Sequence, residues 1–213
     1  MLVKKFTFNG FQENTYIVYS DKGNCVIIDP GCYSSIEEQE LLSFVLDNDL
    51  KPLALLNTHA HIDHVLGNSF VLSKFTIPFY LHQEDVKTLK SVESYAHIYG
   101  FEGYKNSPMP THYFTDQEVI EFEDLKFQVF YTPGHCPGHV VLYSKDYGFV
   151  INGDVLFQGS FGRVDLPGGD LETLKDSIFN RMFQLPDETL VYCGHGPETT
   201  IRQEKKTNYI LNF

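Results

Sequence analysis

The sequence predicts an α/β fold of two mixed β-sheets packed together with helices outside, an αββα sandwich. Three observations lead there. Short β-rich runs come in two groups, and each group is followed by apolar residues at helical spacing. The first runs are separated by Asn9-Gly10 and Lys22-Gly23-Asn24, turn signals that favour hairpins and hence an antiparallel start. Later runs such as Pro52–Thr58 are nearly continuous in apolar residues, the pattern of a strand covered on both faces. Periodicity alone does not separate this layout from other α/β arrangements.

In chain order, Val3–Phe8, Asn14–Ser20 and Asn24–Asp29 read as strands, and Ile36–Asn48 as an amphipathic helix. Pro52–Thr58 is the buried strand, with helix expected to resume over His64–Phe75. Ile77–His82 reads as strand and Glu84–Ala96 as helix, and Tyr99–His112 is the one long loop. Leu125–Thr132, His139–Ser144 and Phe149–Gly153 are the next strands. Leu171–Phe183 is an amphipathic helix, Leu190–Cys193 a last strand and Ile201–Ile210 a last helix. No linker, repeat or low-complexity tract divides the chain, so residues 1–213 are expected to form one domain.

A chain of 213 residues buries roughly 70% of its unfolded surface, enough for a core that needs no staples. The four cysteines, Cys25, Cys32, Cys136 and Cys193, form no C-x-x-C pair; they read as reduced thiols filling small buried spaces, although Cys136 and Cys193 stand close to His135 and His195. Sixteen basic against 28 acidic residues leave a net charge of −12, which repels a phosphate backbone and argues against a nucleic-acid partner. No apolar run approaches the roughly 20 residues that span a bilayer, and the first residues lack a signal peptide's apolar segment. A cytoplasmic protein without a membrane partner is expected.

Chemistry is concentrated in Thr58-His59-Ala60-His61-Ile62-Asp63-His64, where three imidazoles and a carboxylate crowd into six positions after a buried strand. Imidazole nitrogen and carboxylate oxygen are the donors that zinc and iron accept, and no structural need explains such crowding. Four more apolar runs end on Asp29, His135, Asp154 and His195. Ligands of open α/β sheets collect at the carboxyl ends of strands, so these side chains are expected around one cleft.

T-H-A-H-I-D-H carries the H-x-H-x-D-H signature, and with the later His, Asp and His in that order the chain resembles the metallo-β-lactamase superfamily. The resemblance implies His59, His61 and His135 on one metal ion, Asp63, His64 and His195 on a second, and Asp154 bridging both. T-P-G-H-C-P-G-H, the run from Asn152 to Asp170 and C-G-H-G-P-E-T-T-I are similar to the short glyoxalase II-like, or hydroxyacylglutathione hydrolase-like, branch, over about Asn14 to Glu204. That branch implies a thioesterase that cleaves S-D-lactoylglutathione or a related acyl thioester by metal-bound hydroxide. It implies two divalent ions, zinc before iron or manganese, a small-molecule thioester as partner, and Asp63 orienting the water. Arg163 stands where the hydrolases carry a basic residue that contacts glutathione. Asp165 replaces the Tyr common there, and an Arg163–Asp165 ion pair holding the Gly-rich loop is the other role open to these side chains. His139 reads as supporting or structural, and Asp29 resembles a buried family Asp that hydrogen-bonds beside the site. His82, His97 and His112 match nothing and read as solvated. Tyr95, Tyr99, Phe101 and Tyr104 can wall a substrate groove, with core packing the default for such rings.

Other activities fit the signature: a persulfide dioxygenase with one iron on His59, His135 and Asp154, or a lactonase or β-lactamase. The first does not need His64 and His195, which are both present. A non-catalytic metal-binding module is disfavoured because none of the seven ligand positions is lost.

Overall fold

The opening hairpins form where the turn residues stand. In the computed structural model, which describes residues 1–213, β1 (Leu2–Phe8) pairs antiparallel with β2 (Glu13–Tyr19), from Leu2 opposite Tyr19 to Phe8 opposite Glu13. Asn9 takes a positive φ of 51° at the turn, a conformation its short polar side chain tolerates. β3 (Asn24–Ile28) returns antiparallel to β2. α1 (Ser35–Asp47) starts at a capping box in which Ser34 accepts from the Glu37 amide and Glu37 accepts from Ser34. β4 (Lys51–Leu56) then runs parallel to β3, and β5 (Phe79–His82) parallel to β4. The connecting chain holds α2 (Ile62–Val65) and α3 (Asn68–Lys74); α4 (Val86–Tyr95) comes after β5, and β6 (His112–Phe114) closes the sheet in the order β1-β2-β3-β4-β5-β6.

The helix expected over His64–Phe75 is thus two short ones. The break is at Gly67, whose amide donates to Pro30 O at 2.7 Å, and where an added Cβ would stand 2.5 Å from Cys32 Sγ. So close an approach admits no side chain.

The second sheet contains β7 (Val119–Phe122), β8 (Leu125–Tyr131), β9 (Val140–Ser144), β10 (Phe149–Gly153), β13 (Leu190–Cys193) and β14 (Thr199–Thr200), in the order β14-β13-β10-β9-β8-β7. A two-residue hairpin, β11 (Leu156–Phe157) with β12 (Ser160–Phe161), stands apart from it. α5 (Leu171–Asn180) is capped by Asp170 and α6 (Ile201–Thr207) by Thr200, and both end earlier than periodicity predicts, each passing into a short 3-10 turn. β6, β7, β11, β12 and β14 are additional to the strands that the sequence predicts; they are runs of two to four residues.

The chain divides into two compact units, residues 1–113 with 121–125, and residues 114–120 with 126–213. The first has a core that includes Ile17, Ile27, Leu55 and Phe79, all essentially inaccessible, and the second a core that includes Val150, Leu174, Ile178 and Val191. Each such side chain contributes about 1.5–3 kcal/mol by leaving water. Two mixed sheets with helices are the α/β class that the sequence predicts. No helix is long and apolar enough to cross a membrane.

Candidate metal centre

Strand direction decides which side chains can meet. In the first unit β3 and β4 are parallel, so Asp29, one residue past β3, and His59, three past β4, leave the sheet at the same end. In the second unit β10 and β13 are parallel, which puts Asp154 and His195 at one end. β8 is antiparallel to β9 and β9 to β10, so two reversals return β8 to the direction of β10 and bring His135 to that same end.

Within the first unit, His59 and His64 are fully buried, with ring centroids 4.1 Å apart, and His61 lies 4.9 Å from His59. Asp29 organises them. Its Oδ1 accepts from the Thr58 amide at 2.7 Å and its Oδ2 from the Thr58 hydroxyl at 2.6 Å. Because that hydroxyl donates to Asp29, it accepts from His59 Nδ1 at 3.1 Å, which assigns the proton to Nδ1 and leaves Nε2 as the donor atom. His64 Nδ1 lies 3.3 Å from Asp29 Oδ2, and His64 Nε2 lies 3.7 Å from Asp63 Oδ2. Ligand atoms of Asp29, His59 and His64 all fall within 4.8 Å of one another.

Within the second unit, His135 Nδ1 donates to the Arg163 carbonyl at 2.7 Å, which again leaves Nε2 as the donor atom. His135 Nε2 and His195 Nε2 each lie 3.5 Å from the same oxygen, Asp154 Oδ2. The buried His139 accepts from the Asp154 amide through Nε2 at 3.0 Å and turns Nδ1 to Thr132 Oγ1 at 3.3 Å, so it holds the Asp154 backbone. Gly162 lies against the same group. A Cβ there would sit 1.9 Å from Asp154 O and 3.0 Å from His135 Nδ1.

These spacings suit a metal. Donor atoms about 2.1 Å from a tetrahedral ion are about 3.4 Å from one another. The 3.5 Å separations about Asp154 Oδ2 and the 3.7 Å between His64 and Asp63 are close to that figure, in a set made only of imidazoles and carboxylates.

A sequence profile described as the metallo-beta-lactamase superfamily matches residues 8–195. The chain belongs to that superfamily. Within the superfamily it is 34% identical to the hydroxyacylglutathione hydrolase GloC of Haemophilus influenzae (strain ATCC 51907 / DSM 11121 / KW20 / Rd) over 214 residues, covering 100% of this chain and 99% of that one. Among solved structures it resembles the BLEG-1 B3 metallo-beta-lactamase, with a TM-score of 0.91 and 36% identity over 100% of both chains. It also resembles TTHA1623 in a di-iron-bound form, with a TM-score of 0.86 and 38% identity over 97% of this chain and 98% of that one. The superfamily is generally hydrolytic, and these His and Asp groups are of the kind that holds its metals.

The other side chains that the sequence singles out are each placed within their own unit. Arg163 is exposed and bound bidentately to Asp165, with Nε–Oδ1 and Nη2–Oδ2 both 2.7 Å; the guanidinium holds the Asp165 carboxyl down at about 2. Phe101 is buried in the first core, Tyr95 and Tyr104 pack partly against it, and Tyr99 is exposed at 5.6 Å from Phe11. His97 and His112 are exposed, whereas His82 is half-buried and accepts from the Glu84 amide at 3.4 Å. All four cysteines are buried free thiols; burial pushes Cys25 and Cys193 up to about 12 and Cys32 further.

Sequence reasoning overlooked Glu13, Asn57 and Asp85, all fully buried. Glu13 Oε2 accepts from Thr15 Oγ1 at 2.8 Å and its Oε1 lies 3.9 Å from His64 Nδ1. Burial drives the Glu13 carboxyl well above the usual range, His64 opposing this and Asp29 and Asp63 reinforcing it. Asn57 Nδ2 donates to His64 O at 3.0 Å. A polar residue inside an apolar strand was the available signal for Asn57, whereas Glu13 and Asp85 carried none.

Proposed function

We propose that this chain is a dinuclear metallohydrolase of the glyoxalase II-like kind, a thioesterase acting on S-D-lactoylglutathione or a related acyl thioester. The observation that carries the reading is the single carboxylate oxygen of Asp154 at 3.5 Å from both His135 Nε2 and His195 Nε2, close to the separation of ligand atoms on a shared ion, so this carboxylate lies beside a ligand assigned to each ion. In this reading His59, His61 and His135 hold one ion, Asp63, His64 and His195 the other, and Asp154 both. Zinc suits the donor set first, with iron and manganese also accepted by it. The likeness to GloC supports the thioester, and the di-iron-bound relative supports two ions.

Bound divalent ions supply a water activated at neutral pH and polarise the scissile carbonyl. The chain's own residues do the rest. Asp63 orients the water, and Arg163 takes a carboxylate of the thiol half in exchange for Asp165. A thiol of pKa roughly 8.5 leaves as thiolate, so no separate general acid is required.

The test is turnover of S-D-lactoylglutathione, with β-lactam hydrolysis and oxygen uptake on glutathione persulfide measured beside it. Thioester cleavage as the dominant activity is expected. Oxygen uptake without thioester cleavage would replace the reading with the single-iron dioxygenase, and dominant β-lactam cleavage would replace it with a lactamase.

A further inference from the structure

β4 and β5 are parallel neighbours, so the chain beyond β5 leaves the sheet at the same end as the His-rich segment beyond β4. His59 stands three residues past β4, and Asp85 three residues past β5. Asp85 is completely buried, and its Oδ2 accepts from the Ala60 amide at 2.6 Å. Ala60 is the one residue between His59 and His61. The other oxygen, Oδ1, accepts from Thr88 Oγ1 at 3.1 Å, in the first turn of α4, so a side chain of that helix anchors the carboxylate. A buried charge is kept only where it is hydrogen-bonded, and a buried backbone N–H left without its acceptor is unfavourable. Each partner therefore fixes the other.

We propose that Asp85 is a positioning residue for the metal centre. It clamps the peptide between His59 and His61, sets the separation and orientation of the two imidazoles before metal arrives, and ties that segment to α4. The inference rests on the ligand reading above. Asp29 does the corresponding work two residues earlier, at the Thr58 amide, so nearby stretches of the same loop are held from two different strands.

The test uses the full chain in metal-free form. Zinc affinity is measured by competition with a chromophoric chelator, and the melting temperature of each metal-free variant is recorded in parallel. Outer partners of metal ligands typically affect affinity by about 10–100-fold, and a loss of that size is expected for Asp85→Ala. Asp85→Asn keeps an oxygen acceptor for the Ala60 amide and is expected to stay within about threefold of the parent chain. Parent-like zinc affinity in Asp85→Ala overturns the proposal, as does a loss in Asp85→Asn equal to that of Asp85→Ala. Should Asp85→Ala fail to fold, Asp85→Asn decides: affinity within about threefold upholds the proposal and a tenfold loss overturns it. A parent chain that binds no zinc would instead overturn the ligand reading, which separates the two failures.

Discussion

Replacing Gly162 with alanine is the smallest change that reaches both Asp154 and His135 in the second unit. The added Cβ would lie 1.9 Å from the Asp154 carbonyl oxygen and 3.0 Å from His135 Nδ1. Ordinary contact begins near 3.4 Å, so the carbonyl, the glycine backbone or both must move by about 1.5 Å. The Asp154 amide is pinned by His139 Nε2 and His135 Nδ1 is bound to the neighbouring Arg163 carbonyl, so the movement falls on both residues. Overpacking of this kind lowers stability by about 1–3 kcal/mol. A displacement near 1 Å at a catalytic group lowers the rate by about a hundredfold. The assay is kcat/KM for the thioester together with bound metal per chain and thermal melting. A Gly162→Ala chain with parent-like metal content and kcat/KM within about threefold of the parent would refute this reasoning.

Arg163→Ala is expected to raise KM for S-D-lactoylglutathione by about threefold to tenfold with kcat unchanged, a modest effect because the guanidinium is exposed and already paired. An unchanged KM would remove Arg163 from the substrate site. The Cys25 thiol, raised from 9.0 to about 12 by burial, contributes stability that is intact below pH 9 and is lost as pH rises toward 12. Denaturant unfolding at pH 8 and pH 10 should therefore show the stability difference between the parent and Cys25→Ala narrowing by about 1.4 kcal/mol at the higher pH. A difference that stays constant would contradict the shift.

The fold class was legible because strand ends and turn residues are local. Asn9 and Gly23 mark the hairpins, and Ser34 with Glu37 marks the start of α1. The break at Gly67 was not legible, since its cause is the chain at Pro30 and Cys32, which only the folded backbone brings near. The ligand-type residues stood out through their density between His59 and His64 and their place at strand ends. Of their supporting partners, Asp29 and His139 were legible, but Asp85 and Glu13 were not. Asp85 reads in sequence as an ordinary residue at a helix start, and its role depends on β5 lying beside β4. Glu13 reads as part of a hairpin turn but is buried beside His64. The arrangement of Arg163 and Asp165 needed coordinates, since sequence allowed either a substrate contact or the ion pair.

The central claim is two metal ions sharing Asp154, and metal content with thioester turnover in the parent, Asp154→Ala and His97→Ala chains tests it most directly. About two ions per chain in the parent, loss of metal and nearly all activity in Asp154→Ala, and parent values in His97→Ala are the predicted result. Full activity in Asp154→Ala, or a parent that is fully active with a single ion, would contradict it.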